Sequence, residues 1–286
     1  MSRVLDRLLE LLELETIGED VFRGPSQDLG WGTVFGGQVL GQALWAAGLT
    51  VDGDRHAHSL HAYFLRPGDP GRPITYHVER TRDGASFSTR RIRAHQDGDS
   101  IFFMATSFQR PEPGLDHQAA MPEVPGPDGL ASFEELSHRF LELAPEPLRS
   151  SLDVRWPFEM RPVEEFNPLA PRAAAPMSHM WLRSAAPLPD DDRVHRCLLA
   201  YASDFALLDT ALVPHGRSYW QGDLKLTSID HAMWFHRGFR ADDWLLYAMD
   251  SPTASGSRGL VRGELFDRSG RLVASTAQEG MIRDLR

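Results

Sequence analysis

The chain has 286 residues, enough for about two domains, and its 42% hydrophobic and 24% charged residues exclude a disordered chain, a collagen or a small disulfide scaffold. A formal net charge of -10 argues against a nucleic-acid partner, whose phosphates would have to meet a basic face. The single cysteine, Cys197, excludes an intrachain disulfide and a Cys-based metal centre, and its apolar neighbours Leu198, Leu199 and Ala200 predict a buried, inert thiol.

The N-terminal stretch Ser2–Glu10 mixes acids into an apolar pattern, as in an amphipathic helix rather than a signal peptide. No apolar run approaches the roughly 20 residues of a membrane span, and the C-terminus is not a peroxisomal address. The expectation is a cytoplasmic protein with no stable membrane insertion.

Phe35–Gly48 has helical spacing of small and apolar residues. Strands follow at His58–Phe64, at Ile74, Tyr76 and Val78, and at Ser86–His95. The Asp97-Gly98 turn signal leads into Ile101–Gln109. Five prolines between Pro111 and Pro127 then mark a linker. Ser132-Phe133-Glu134-Glu135 is a capping box that opens a helix of about twelve residues. Prolines up to Pro176 predict irregular connections as far as residue 177. In the second half Arg193–Val213 reads as a helix. Strands follow at Leu224–Phe235, Trp244–Asp250, Gly259–Phe266 and Leu272–Ile282.

The same order of elements thus occurs twice. At an offset of 169, Ser59–Gln109 lies over Ser228–Gln278 with eight identities in 51 positions, among them Ser59/Ser228, Arg93/Arg262, Ala105/Ala274 and Gln109/Gln278. The repeat predicts an α+β fold in which two long helices are each wrapped by antiparallel sheet. Its parts would be residues 1–110, a Pro-rich linker over 111–177 with a short helix, and residues 178–286.

Several chemistries are excluded by motif. No Gly-x-Ser-x-Gly elbow, P-loop or His-Glu-x-x-His occurs. The run His56, His58 and His61 contains no carboxylate and does not share one strand face, which argues against a metal site. What remains is a set of polar residues in apolar surroundings. Asp204 lies in the run from Leu198 to Leu208, where a carboxylate is costly to bury unless it is paired or used. Ser228 and Asp230 are expected on one strand face, and Gln278 lies near the end of the last strand.

These residues sit within longer strings. They include Val34-Phe35-Gly36-Gly37-Gln38-Val39, the run from His58 to Asp69, Arg82-Asp83-Gly84, and Ser86-Phe87-Ser88. In the second half they are Ala202-Ser203-Asp204-Phe205, the run from Ile229 to Arg237, Ser257-Arg258-Gly259, and the run from Ala274 to Gly280. In these strings, from about residue 5 to 284, the sequence resembles the acyl-CoA thioesterase II family, a double-hotdog family. The resemblance implies hydrolysis of fatty acyl-CoA to a fatty acid and free CoA at a site between the two halves. It places the family's catalytic acid, hydroxyl and amide on Asp204, Ser228 and Gln278. The first-half position matching Asp204 falls in Phe35-Gly36-Gly37, so one complete site per chain is expected. The family's sheets tend to extend across subunits, which implies a homo-oligomer, a dimer or tetramer.

The residue types suit the reaction. Asp204 can take a proton from water, Ser228 and Gln278 can hold the same water, and amides near Gly36-Gly37 can polarise the thioester carbonyl. A direct nucleophilic role for Asp204, through an anhydride, is the alternative. No cofactor or metal is required. Arg90, Arg91, Arg93 and Arg258 are candidates for the CoA phosphates, although a solvated strand face is the simpler reading. Two other functions compete: a hotdog acyl-CoA hydratase or dehydratase, for which Asp230-His231 would be the pair, and a non-catalytic acyl-CoA binder.

Overall fold

The computed structural model describes residues 3–141, 149, 156–165 and 167–286. Helix α1 (Arg3–Leu12) buries Leu5, Leu8, Leu11 and Leu12 on one stripe, as its amphipathic pattern predicts. Two short strands, β1 (Glu15–Gly18) and β2 (Val21–Gly24), lead to α2 (Gly36–Gly48). The first-half strands are β3 (His56–Phe64), β4 (Ile74–Asp83), β5 (Phe87–Gln96) and β6 (Asp99–Gln109). Helix α3 (Phe133–Leu141) begins at the predicted capping box, in which the Ser132 hydroxyl accepts from Glu135 N and the Glu135 carboxylate from Ser132 N. The remainder of that predicted helix lies outside the described residues.

The linker is less irregular than its prolines suggest. It contains β7 (Phe158–Pro162), which pairs with β8 (Met177–Ser184) at a sheet edge, where proline is tolerated. Helix α4 (Asp192–Ala202) follows, and then β9 (Leu224–Ser228), β10 (Asp230–Phe235), β11 (Leu245–Ser255), β12 (Arg258–Asp267) and β13 (Leu272–Asp284). Among the described residues the strands form one antiparallel sheet in the order β1-β2-β4-β5-β6-β3-β10-β13-β12-β11-β8-β7, with β9 on β13. The two halves join at β3 and β10, where Ala62 stands opposite His231, its own counterpart 169 residues on. Each half wraps a helix, which is the double hotdog of the expectation.

Inside, α2 and α4 run antiparallel at very short range. A Cβ on Gly37 would stand 2.2 Å from the Tyr201 carbonyl oxygen, and one on Gly41 3.1 Å from that of Cys197, so both positions need glycine for the approach of one helix to the other. Nearly every α2 residue is buried, which explains its lack of a polar face. Cys197 is buried as expected, and desolvation pushes its thiol far above the ordinary range.

Three expectations are corrected. The predicted helix Arg193–Val213 ends at Ala202; Ala206 turns left-handed (φ 58°), and a 3₁₀ segment, Leu208–His215, continues over the sheet. The predicted strand Leu224–Phe235 breaks at Ile229, where one extra residue enters: Ser228 pairs with Gly280 but Ala232 with Ala277. The repeat also drifts. Ile92 and Val261 match at the offset of 169, yet their partners are Met104 and Gln278. Gln278 therefore corresponds to Met104 and not to Gln109, because the β12–β13 hairpin is longer than the Asp97-Gly98 turn.

Candidate active site

Asp204 is held two residues beyond the end of α4, after the C-cap Ser203. Ser228 comes from the end of β9 and Gln278 from the middle of β13. These three separate segments bring the predicted trio together. Asp204 Oδ1 accepts from Ser228 Oγ at 3.3 Å and from Gln278 Nε2 at 3.0 Å. Gln278 Nε2 also donates to Ser228 Oγ at 2.5 Å. Gln278 is fully buried, whereas Asp204 and Ser228 are half-buried, so the cluster is reachable from one side only. Thr227 points away from it, its hydroxyl donating to the Leu226 carbonyl.

The other carboxylate oxygen faces the first half. A Cβ on Gly36 would lie 2.7 Å from Asp204 Oδ2 and 3.0 Å from the Phe64 ring. Gly36 opens α2, and no side chain caps that end. The first amides of the helix, Gly36 and Gly37 among them, therefore have no partner within it and form the positive end of its dipole. A carboxylate, two hydrogen-bonding side chains and a free helix N-terminus thus meet where the two halves adjoin. Phe35 and Phe205, the chain neighbours of Gly36 and Asp204, stack at 4.7 Å and pack with Tyr201 and Trp156.

Sequence reasoning missed the layer behind the trio. His231 is fully buried, with Nδ1 3.2 Å from Gln278 Oε1 and Nε2 3.0 Å from Ser203 Oγ. The available signal was the apolar alternation of His231, Met233 and Phe235, all on the buried face. Asp230, expected beside Ser228, instead accepts from the Glu279 amide at 2.7 Å. The extra residue at Ile229 is the cause, since it shifts the phase of the strand by one.

Counted from the helix ends, the first-half counterpart of Asp204 is Thr50, not a residue in Phe35–Gly37 as the linear offset implies. Thr50 and Met104 leave the first half without the acid and the amide, and the buried Arg90 occupies the space, donating to Thr50 Oγ1 at 2.8 Å and to Asp83. Arg90 is therefore structural. Arg91 is exposed beside Glu79, and Arg258 pairs with Glu279 at 2.9 Å. The three sequence-adjacent histidines part company: His56 meets Asp192, His58 meets Ser107, and His61 packs against Trp234. A surface cleft of about 570 Å³ lined by Arg161, Arg183, Trp244 and Asp267 shares no residue with the Asp204 cluster.

Two family models match the chain, one described as acyl-CoA thioesterase over residues 148–281 and one as acyl-CoA thioesterase N-terminal domain over residues 25–109. Acyl-CoA thioesterase 2 of Haemophilus influenzae is 42% identical over 283 residues, 99% of each chain. Human acyl-coenzyme A thioesterase 8 is 44% identical over 283 residues, 96% of this chain and 88% of that one. The crystal structure of an acyl-CoA thioesterase II from Mycobacterium marinum superposes with a TM-score of 0.79 at 42% identity, covering 97% of both chains. The chain belongs to the acyl-CoA thioesterase family.

Proposed function

We propose that the protein hydrolyses the thioester of fatty acyl-CoA to a fatty acid and free CoA, using a water placed by Asp204, Ser228 and Gln278. Hydrolysis of acyl-CoA thioesters rests on the family membership. The assignment of roles rests on one observation, the convergence of the three side chains beside the free N-terminus of α2. Asp204 takes a proton from the water, whose oxygen attacks the thioester carbonyl carbon. Amides at Gly36 and Gly37 hold the resulting oxyanion. Its collapse breaks the C–S bond, and the departing thiolate takes up the proton that Asp204 carries. Ser228 and Gln278 keep the carboxylate aligned, and Ser228 Oγ keeps a lone pair that can accept from the water. A hydratase built on Asp230 and His231 is disfavoured by their separate partners, the Glu279 amide and the Gln278 side chain.

In this reading residues 1–110 and 178–286 are the two hotdogs and 111–177 joins them. The protein works in the cytoplasm; among the described residues no helix is long and apolar enough to cross a membrane. It works as a homo-oligomer, a dimer or tetramer. Support comes from an exposed aromatic face near the junction of the halves, with Tyr63 stacked on Phe103 and Trp234 beside His61. Light scattering at micromolar concentration tests this, and a monomer would refute it. The catalytic reading is tested with palmitoyl-CoA and a reagent for the released thiol. Asp204→Asn should lower kcat by roughly 10²–10⁴ with KM little changed. Near-normal hydrolysis by a well-folded Asp204→Asn protein would overturn it.

A further inference from the structure

The contact among Asp204, Ser228 and Gln278 works only with the Gln278 amide turned one way. An amide carries two hydrogens at one end and only lone pairs at the other, and the two ends are almost equal in size. Turned over, it would set its oxygen against the Asp204 carboxylate and withdraw both donors from the site. The contacts on the site side favour the observed orientation only while the carboxylate is charged and unoccupied. A fixed donor on the far side would hold it throughout a catalytic cycle.

That donor is His231. Gln278 Oε1 can only accept, so the ring nitrogen 3.2 Å from it, Nδ1, carries the hydrogen. The opposite nitrogen, 3.0 Å from Ser203 Oγ, is then an acceptor in the neutral ring, and it competes for the single Ser203 hydroxyl hydrogen with the Ala200 carbonyl 2.9 Å away. Burial lowers the tendency of the imidazole to protonate, while the charges of Asp204 and Asp230 pull the other way. Ser203 immediately precedes Asp204, and its carbonyl accepts from the Tyr247 hydroxyl at 3.0 Å, which in turn lies 2.8 Å from Thr276 Oγ1. One imidazole thus grips both the segment that carries Asp204 and the amide that bonds to it.

We infer that His231 is a positioning residue of the hydrolysis: it fixes the Gln278 amide, and with it the Asp204 carboxylate, without touching the water or the substrate. The inference rests on the proposed role of the trio. It extends that role by naming what keeps the trio aligned.

The test uses three substitutions in the full chain. Asparagine places its amide nitrogen near the position of Nδ1, and glutamine places its own near Nε2. Phenylalanine keeps a ring but has no donor. His231→Phe should lower kcat by about 10- to 100-fold, the cost of a displaced reacting group, with KM within about twofold. His231→Asn should recover most of the loss, and His231→Gln should not. In a Gln278→Ala background His231→Phe should cost much less, because no amide remains to be held and only the Ser203 contact is lost. Equal kcat in the Asn and Gln variants would overturn the inference, and so would an undiminished cost in the Gln278→Ala background. The comparison of the Asn and Gln variants stands even if His231→Phe fails to fold. Asp204→Asn is assayed alongside. If it is inactive while His231→Phe has full kcat at an unchanged melting temperature, only the role of His231 falls. If it is fully active, the reading of the trio falls, and the inference with it.

Discussion

Gly36→Ala is the most direct probe of the roof over Asp204. The added methyl carbon would sit 2.7 Å from Asp204 Oδ2 and 3.0 Å from the Phe64 ring. The first distance is inside van der Waals contact by at least about 0.5 Å, so the carboxylate, the ring or the helix end must move. A misplacement of that size at a reacting group costs about 10- to 100-fold in kcat. The same methyl also shields the one carboxylate oxygen that Ser228 and Gln278 leave free. Stability should respond differently. Overpacking costs about 1–3 kcal/mol, and the better helix propensity of alanine returns up to about 1 kcal/mol. The melting temperature should fall by only a few degrees. Gly41→Ala is the control: its Cβ would meet the Cys197 carbonyl at 3.1 Å in the helix interface, away from Asp204. It should lower the melting temperature and keep kcat. Thiol release from palmitoyl-CoA, read against thermal melts of both variants, separates the effects. A Gly36→Ala protein with kcat within about twofold of the parent would refute the placement of the reacting water beneath Gly36.

Other consequences are open to measurement. Ser228→Ala and Gln278→Ala should each reduce kcat by less than Asp204→Asn, and the double variant should lose less than the product of the two, since both act on one carboxylate and one water; kinetics of the single and double variants check this. Asp192, although burial pushes the other way, is held below the ordinary carboxylate range by Arg196 and His56. Its contribution is therefore present above the unfolded carboxylate value and is lost as pH falls through the folded one. Asp192→Asn should lower stability at pH 7 by about 1–3 kcal/mol, and urea melts should find the gap between parent and variant narrowing toward pH 3.

The hairpins were legible in the sequence because β5 alternates throughout between buried and more exposed positions and β4, β11, β12 and β13 do so over part of their length, and because Asp97-Gly98 is a strong turn signal. The end of α4 was not, because the run that follows Asp204 stays as apolar in its 3₁₀ form as it would in a helix. β7 was hidden by its bounding prolines, Pro157 and Pro162. Asp204 could be flagged as an acid in an apolar run, but Ser228 and Gln278 look like ordinary strand polars and were singled out by the family strings. His231 escaped because strand parity was carried straight through Ile229. A single inserted residue exchanges the faces of everything after it, and only backbone pairing reveals the insertion.

The pairing of β3 with β10, together with the glycine contacts between α2 and α4, has a mechanical consequence. Hydrogen bonds cross the boundary between the halves on the outside, and backbone meets backbone across it on the inside, so no hinge is available there. Motion is left to short segments outside that boundary, such as Asp28–Val34, where the Asp28 carboxylate accepts from the amides of Gly30, Trp31 and Gly32. The same absence of a seam ties the fate of each half to the other, and denaturation should proceed as one transition in which loss of sheet and loss of the Asp204 cluster coincide.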